Sequence, residues 1–401
     1  MKTSTPLAER VRIVLVGLRN TGKSSLMNNL FENNIAIVSP HAGTTTDPVT
    51  RAYELIGAGP VAVTDTAGID DVGDLGALRI GKTKEALNGA DVVLVVTRGD
   101  MPLDLHEQKL VAGISESGKD GIVVLTHSDL GADITKKEIW PGHACVAVDN
   151  LSGKGIPQLK ELLIERCNSV KQEITPVEGL VNEGDLVVLV TPIDLAAPKG
   201  RLILPQVETI RDLLDKDCSV LVVKERELRS AYENLKHRPK LVITDSQAFS
   251  KVAADIPADQ PLTSFSILFA RKKGDLAVFV KGVKALNSVK SGSRVMVFES
   301  CSHHRQADDI GTVKIPRLFR QMIDAKARFE FCRALPDGEK LKGVDLVIMC
   351  GGCMVNRNTA LANINLLERE GIPVTNYGLF LAYVNGLLPR ALEPFPGLWA
   401  G

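Results

Sequence analysis

The sequence predicts an α/β fold in which small, mostly parallel sheets follow one another along the chain. Short, nearly all-apolar runs rich in valine and isoleucine alternate with longer helical stretches. This pattern is typical of parallel strands whose two faces are both covered by helices. The 401 residues exceed what one core usually organises, so two or three domains are expected. We predict an N-terminal phosphate-loop (P-loop) domain followed by two smaller α/β domains.

The first domain, residues 1–172, is predicted from five apolar runs, each followed by a polar or glycine-rich loop. An amphipathic helix over residues 156–170 closes it. The predicted strands are Val11–Val16, Val61–Thr64, Asp91–Val96, Gly121–Leu125 and Ala144–Val148.

The other two domains are predicted over residues 173–262 and 263–401, after a linker near residues 168–183. The middle domain has predicted strands Asp185–Val190, Ser219–Lys224 and Lys240–Thr244 and helices Pro205–Asp215 and Glu225–Leu235. The last domain has predicted strands Ser266–Ala270, Arg294–Phe298, Arg328–Cys332, Asp345–Met349 and Pro373–Thr375.

Charge and composition narrow the classes of function. The 48 basic residues equal the 48 acidic ones and aromatic residues are only 4%, so nothing favours a nucleic-acid partner. The N-terminus lacks the pattern of a signal peptide, and no apolar run is long enough to span a membrane. We therefore expect a cytoplasmic protein whose seven cysteines are free thiols or metal ligands.

A phosphate loop follows the first predicted strand and leads into a helix. Its glycines let backbone N–H groups cradle phosphate oxygens at the positive end of that helix. Lys23 should bridge the outer phosphates as a catalytic residue, and Ser24 should bind Mg²⁺. The motif is Gly17-Leu-Arg-Asn-Thr-Gly22-Lys23-Ser24, and the predicted nucleotide contacts are Asn20, Thr21, Gly22, Lys23, Ser24 and Ser25.

Two further segments complete the predicted phosphate site. Asp65 ends a strand and begins Asp-Thr-Ala-Gly68; its carboxylate can hold Mg²⁺ through water, and the Gly68 N–H can face the terminal phosphate. The threonine run at residues 43–47 lies between the two motifs and is the expected first switch, with Thr45 as a second Mg²⁺ ligand. We assign catalytic roles to Lys23, Asp65 and Gly68.

Over residues 10–170 the chain resembles GTPases related to Era and to the tRNA-modification GTPase MnmE. The resemblance implies that GTP is the nucleotide and that Asn20 helps to bind K⁺. Ile69 stands where Ras-like enzymes carry a catalytic glutamine, so slow, potassium-activated hydrolysis is implied.

Base recognition departs from the pattern of these GTPases. Their Asn-Lys-x-Asp motif reads Thr126-His-Ser-Asp129 here, which keeps the aspartate that accepts two hydrogen bonds from guanine. The missing asparagine and lysine remove one hydrogen bond and the stem that packs on the base. Ser152 and Gly153 match the last guanine loop, so we expect GTP binding of weakened specificity.

A second candidate site lies near the C-terminus. Cys301 and Cys350 each follow a predicted strand, with His303 and Cys353 close behind them. Since the carboxyl ends of adjacent parallel strands form one crevice, residues far apart in sequence can converge there. Three thiolates and an imidazole fit either tetrahedral zinc or a 4Fe–4S cluster with an unusual fourth corner.

The domain order and the Cys-x-His…Cys-x-x-Cys pattern resemble the HydF family, the GTPase maturases and scaffolds of FeFe-hydrogenase. Residues 191–206 also look characteristic of that family. The resemblance implies a 4Fe–4S cluster on Cys301, Cys350 and Cys353, and a homodimer or higher oligomer formed through the middle domain. It further implies a transient diiron precursor received from radical-SAM maturases and delivered to apo-FeFe-hydrogenase.

One position departs from the HydF pattern, because Met349 replaces the histidine expected directly before the last Cys-x-x-Cys. The fourth iron is then left to His303, His304, water or another exchangeable group. The alternative function is an RNA- or ribosome-associated GTPase with a structural zinc site. Iron with sulfide, or zinc alone, would separate the two.

Overall fold

The computed structural model describes residues 5–31, 48–69, 74–131, 136, 140–170, 174–192, 202–300, 309–336, 338–352 and 355–399, with the side chains of 74–78 left aside. The chain divides into two compact units, Met1–Gln172 and Glu173–Gly401.

In the described part of unit 1, six strands form one sheet in the order β2-β3-β1-β4-β5-β6. All neighbours are parallel except β2, which pairs antiparallel with β3. The strands are β1 Val11–Val16, β2 Val49–Leu55, β3 Gly59–Asp65, β4 Val92–Arg98, β5 Asp120–Thr126 and β6 Ala144–Ala147.

Helices cover both faces of this sheet, and a separate apolar core lies on each side. Ile13 and Leu15 of β1 belong to one core, whereas Val14 and Val16 belong to the other. A strand buried on both faces has no polar side, which is why its sequence is a continuous apolar run. The helices are α1 Lys23–Phe31, α2 Asp74–Asn88, α3 Leu105–Glu116 and α4 Ile156–Ser169.

In the described part of unit 2, two parallel four-stranded sheets occur in the orders β10-β9-β7-β8 and β12-β11-β13-β14. The strands of the first are β7 Leu186–Val190, β8 Ser219–Val223, β9 Leu241–Thr244 and β10 Leu262–Ser264. Those of the second are β11 Arg294–Phe298, β12 Arg328–Cys332, β13 Leu346–Met349 and β14 Val374–Asn376.

One continuous apolar core joins the two sheets of unit 2 and the helices between them. These helices are α5 Leu204–Asp215, α6 Leu228–Glu233, α7 Phe249–Asp255, α8 Phe265–Lys273, α9 Leu276–Lys284, α10 Ile315–Met322, α11 Gly338–Leu341, α12 Arg357–Arg369 and α13 Tyr377–Val384. The predicted α/β fold with mostly parallel sheets is confirmed.

One predicted strand is wrong, because Ser266–Ala270 lies inside helix α8. The Ser264 hydroxyl accepts a hydrogen bond from the Ile267 N–H and caps the helix. Every apolar residue of the run is buried, so the helix shows no polar stripe. A short apolar run without periodicity fits a buried strand or a buried helix equally well.

Three other regions differ from expectation, and one of them is the short strand β10, which was not predicted. Val177, in the predicted linker, is fully buried in the core of unit 2, and its N–H donates to Asp212 at 2.8 Å. Strand β2 was not predicted, because most of its residues are exposed and polar side chains interrupt it. No helix in the described part of the chain has the length and apolar character needed to cross a membrane.

Candidate functional site

The phosphate loop joins β1 to α1 and depends on residues that tolerate unusual backbone angles. A side chain at Gly17 would place its Cβ 2.0 Å from the carbonyl oxygen of Val96, so only glycine fits against β4. Asn20 and Gly22 adopt φ of +56° and +83°. Left-handed residues of this kind turn successive N–H groups toward one concavity, the geometry that binds phosphate.

Lys23 begins helix α1 and lies over this concavity. Its side chain is largely buried, and its ammonium donates hydrogen bonds to the carbonyl oxygens of Leu18 at 2.6 Å and Gly17 at 3.2 Å. Both acceptors belong to the loop itself. The positive charge is therefore held at the loop whose N–H groups would receive phosphate.

The predicted magnesium ligands Ser24 and Asp65 meet at the carboxyl end of β3. The Ser24 hydroxyl donates to Asp65 Oδ2 at 2.6 Å. The other oxygen, Oδ1, is buried with no hydrogen-bond partner among the described residues. A buried carboxylate oxygen of this kind needs compensation, and a hydroxyl beside a carboxylate is a donor set that suits Mg²⁺. These residues fit the ion.

The segment after Asp65 runs back along the phosphate loop. The buried Thr66 hydroxyl donates to Leu15 O at 2.7 Å, and the Ile69 N–H approaches Gly17 O at 3.4 Å. Gly68, which precedes Ile69, is thereby held next to the loop. Thr45, the other predicted magnesium ligand, lies outside the described residues.

The base-recognition loop follows β5. Thr126 is fully buried, and its hydroxyl lies 2.8 Å from the carbonyl oxygen of Thr21 in the phosphate loop. His127 has φ +57° and turns the chain so that Asp129 is exposed to solvent. Asp129, the predicted guanine contact, is therefore accessible from solvent.

The last guanine loop is organised by a residue that the sequence interpretation missed. Asp149 accepts hydrogen bonds from the Ser152 hydroxyl and from the N–H groups of Leu151 and Ser152. These bonds, the Ser152 hydroxyl foremost, hold the pKa of Asp149 below its ordinary value. The predicted contacts Ser152 and Gly153 thus lie in a loop shaped by an ionised carboxylate.

Asn150 was also missed, and it connects this loop to the phosphate loop. Its side-chain amide donates to Gly22 O at 3.3 Å, while Asn29 of α1 donates to Asn150 O at 2.9 Å. The available signal was its position, three residues after the end of β6 and two residues before the Ser-Gly pair.

In unit 2 the predicted convergence of strand ends occurs. β11 and β13 are adjacent and parallel, with Phe298 opposite Met349. Ser300 and Cys350 follow these strands, and the Ser300 hydroxyl oxygen lies 3.3 Å from the Cys350 sulfur. The Cys350 N–H donates to Phe298 O at 2.9 Å. Cys301 comes directly after Ser300 in the sequence. Cys301, His303, His304 and Cys353 lie outside the described residues.

A recess opens at these strand ends, and we call it the thiolate recess. Cys350 and two glycines form one wall, and Lys273 at the end of α8 and Asn363 of α12 also line it. Gly352 has φ +63°, and Gly351 has open space where a side chain would stand, so the backbone can approach a ligand closely. The half-buried Cys350 thiol is the kind of ligand that holds an iron–sulfur cluster.

Met349 lies on the core side of this recess. It is the last residue of β13 and only 5% exposed, which agrees with its interpretation as a buried strand residue. The described residues contain no group of three metal-binding side chains, and three of the four predicted ligands fall outside them.

Three of the remaining cysteines have thiols that are disfavoured as metal ligands. Burial raises the pKa of Cys167 to about 12 and that of Cys332 to about 11, and it also raises the pKa of Cys218. A raised pKa disfavours the thiolate that binds metal.

Comparison with known proteins separates the two units. A family model described as a 50S ribosome-binding GTPase matches residues 12–127. The tRNA modification GTPase MnmE of Aquifex aeolicus is 34% identical over 174 residues, 43% of this chain and 38% of that protein. MnmE of Lysinibacillus sphaericus is 35% identical over 185 residues, 45% of this chain and 37% of that protein. The chain therefore spans well under half the length of these relatives.

Among solved structures, the G domain of the Thermotoga maritima (T. maritima) FeoB iron transporter is similar to 39% of this chain and 99% of its own. The identity is 23% and the TM-score 0.32, which is too low to support an argument.

Unit 2 matches two models of a single family. The hydrogen maturase F dimerization domain covers residues 177–274, and the hydrogen maturase F tetramerization domain covers residues 277–394. Together they account for more than half of the 401 residues, and they follow the GTPase domain in series. The chain therefore belongs to the hydrogen maturase F family.

Proposed function

We propose that the chain is a GTP-hydrolysing scaffold that holds a 4Fe–4S cluster and a diiron precursor and delivers the precursor to apo-FeFe-hydrogenase. One observation carries the proposal: a complete phosphate loop with Ser24 and Asp65 in contact precedes hydrogen maturase F domains that contain the thiolate recess. Radical-SAM maturases would supply the precursor. The scaffold would work as a homodimer or higher oligomer.

In unit 1 the proposed chemistry is stabilisation of charge on the outer phosphates of GTP. Lys23 and the N–H groups of the loop would bind those phosphates, and Mg²⁺, held by Ser24, Asp65 and Thr45, would supply further positive charge. Ile69 offers no polar group to orient the attacking water. This lack is consistent with slow hydrolysis. The proposed K⁺ beside Asn20 would partly compensate for it by supplying positive charge.

In unit 2 Cys350 would hold the cluster together with Cys301 and Cys353, with His303 proposed at the fourth corner. Bound there, the cluster would offer one exchangeable iron site for cargo. Three fixed cysteine ligands would keep the cluster on the protein, and the labile fourth position would let the cargo leave. Because Met349 is buried in the core, the fourth ligand has to come from another residue or from solvent.

Metal analysis of the purified protein tests this proposal against the ribosome-associated alternative. We expect iron and acid-labile sulfide in nearly equal amounts after anaerobic reconstitution, and GTP hydrolysis that is faster in K⁺ than in Na⁺ at the same ionic strength. Stoichiometric zinc without sulfide would instead support the alternative. Equal rates of hydrolysis in K⁺ and Na⁺ would show that the GTPase activity does not depend on potassium.

The proposed dimer has a candidate surface on the first sheet of unit 2. Strand β8 is an edge strand among the described residues. Its Val222 is 43% exposed, and Leu214 of the neighbouring helix α5 is 55% exposed. An apolar edge strand favours pairing with another chain. Since a dimerization-domain model matches residues 177–274, we assign this surface to a second copy.

Val222→Lys is expected to weaken dimerisation by about tenfold or more, because it buries a charge at an apolar contact. Sedimentation equilibrium over a range of concentrations measures the effect. Ile56→Lys is the matched control, since Ile56 is 79% exposed and lies in unit 1. An unchanged monomer–dimer equilibrium in Val222→Lys would place the interface elsewhere.

A further inference from the structure

Thr126 occupies the position where the related GTPases carry the asparagine of their base motif, and its hydroxyl points inward. The Oγ1 atom lies 2.8 Å from Thr21 O in the phosphate loop and 3.1 Å from Thr97 O at the end of β4. It also lies 3.0 Å from Nδ1 of His127. The side chain is fully buried. One hydroxyl therefore contacts the phosphate loop, a neighbouring strand and the base loop.

Counting hydrogens limits how these three contacts can be satisfied. A threonine hydroxyl has one hydrogen, and both carbonyl oxygens can only accept. The single hydrogen therefore goes to one of these oxygens or is shared between Thr21 O and Thr97 O, and a donor N–H on His127 Nδ1 would suit the free lone pair of the hydroxyl oxygen. In either direction, the 3.0 Å contact with Thr126 holds the orientation of the His127 ring.

The strand behind Thr126 is itself braced. The Thr97 hydroxyl donates to Glu107, and the buried Lys136 ammonium donates to Thr97 Oγ1 at 2.7 Å and to Glu107 at 3.0 Å. Glu107 also accepts from the Asp104 N–H at the start of α3. Thr97 O is consequently a fixed anchor. The Thr126 hydroxyl extends this network from the sheet to the phosphate loop.

His127 lies beside the nucleotide loops. A Cβ added at Gly22 would stand 3.8 Å from Thr126 Cγ2 and 3.9 Å from His127 Cε1. The ring therefore packs next to the turn that binds phosphate. Asp129, the residue available to the base, follows two positions later. Any shift at Thr126 would move the base contacts relative to the phosphate contacts.

We propose that Thr126 is a positioning residue for nucleotide binding, whose buried hydroxyl ties the base loop to the phosphate loop and orients His127 between them. The inference rests on the proposed GTPase function and explains how the site keeps its shape without the usual asparagine and lysine. A ligand that contacts two loops binds best when their separation is set in advance.

The test compares Thr126→Val, which keeps the shape and loses the hydroxyl, with Thr126→Ser, which keeps the hydroxyl. We expect Thr126→Val to raise the Kd of a fluorescent GDP analogue about tenfold, the effect of one lost buried hydrogen bond. KM for GTP should rise more than kcat falls. Thr126→Ser should bind within about threefold of the unmodified protein. The double variant Thr126→Val/His127→Ala should lose less binding free energy for the analogue than the two single variants lose together.

Thr263→Val is the matched control, because Thr263 is equally buried, donates to Ala391 O at 3.0 Å and lies in unit 2. It should lower thermal stability without changing nucleotide affinity. The inference is overturned if Thr126→Val binds the analogue as tightly as the unmodified protein, or if Thr126→Ser binds as weakly as Thr126→Val. If the unmodified protein binds no guanine nucleotide, the proposed GTPase function fails first and the inference with it.

Discussion

Lys23→Ala is expected to lower kcat for GTP hydrolysis by about 10²–10³-fold, the usual cost of removing a preorganised group that stabilises developing charge. The ammonium is held 2.6 Å from Leu18 O and 3.2 Å from Gly17 O, so it is already positioned beside the phosphate cradle. Alanine leaves the N–H groups of the loop in place but removes the charge. Phosphate release under saturating GTP measures the loss.

The same variant should keep its full complement of iron. Lys23 lies in unit 1, whereas Cys350 lies in unit 2, which has its own apolar core. Lys109→Ala is a suitable control, since Lys109 is an exposed residue of α3 in the same unit. Iron and sulfide that fell in parallel with hydrolysis would show that cluster assembly depends on the nucleotide site. If Lys23→Ala still hydrolysed GTP at the rate of the unmodified protein, Lys23 would not have the proposed catalytic role.

The fold was largely predictable because its central strands are buried on both faces. Apolar runs such as Val11–Val16 leave little alternative to a parallel sheet once loops and helices alternate with them. The same property caused the error at Ser266–Ala270, where a buried helix carries an equally apolar run. Strand β2 went unpredicted because its burial alternates irregularly and it lies at the sheet edge. Tertiary burial, which the sequence does not show directly, decides these cases.

The candidate site was also predictable only in part. Motif residues whose spacing determines their chemistry, such as Ser24 and Asp65, lie together in the structure. Residues that shape the loops were missed, because Asp149 and Asn150 act through bonds that appear only after folding. Thr126 was interpreted only as the loss of an asparagine. Its inward hydroxyl depends on β4, β5 and the phosphate loop meeting at one point.

Cys350→Ser is expected to deplete the protein of its iron–sulfur cluster. Losing groups outside the ligand shell already costs about 10–100-fold in metal affinity, so losing a thiolate should cost at least as much. Serine keeps the size of the side chain and its contact with Ser300, so a folding defect is not expected. Iron per chain, the visible absorbance and the EPR signal of the reduced protein should all fall together.

Two comparisons make this result specific to Cys350. Cys332→Ser should retain the cluster, because burial raises the pKa of Cys332 to about 11 and leaves it protonated on the edge strand β12. Ser300→Ala should give a smaller loss, since its hydroxyl lies 3.3 Å from the Cys350 sulfur and would tune that ligand without binding iron. A graded series, with Cys350→Ser lowest, Ser300→Ala intermediate and Cys332→Ser unchanged, would locate the iron at the carboxyl ends of β11 and β13. Full iron content in Cys350→Ser would instead show that Cys350 does not hold the cluster. The cluster would then lie away from these strand ends.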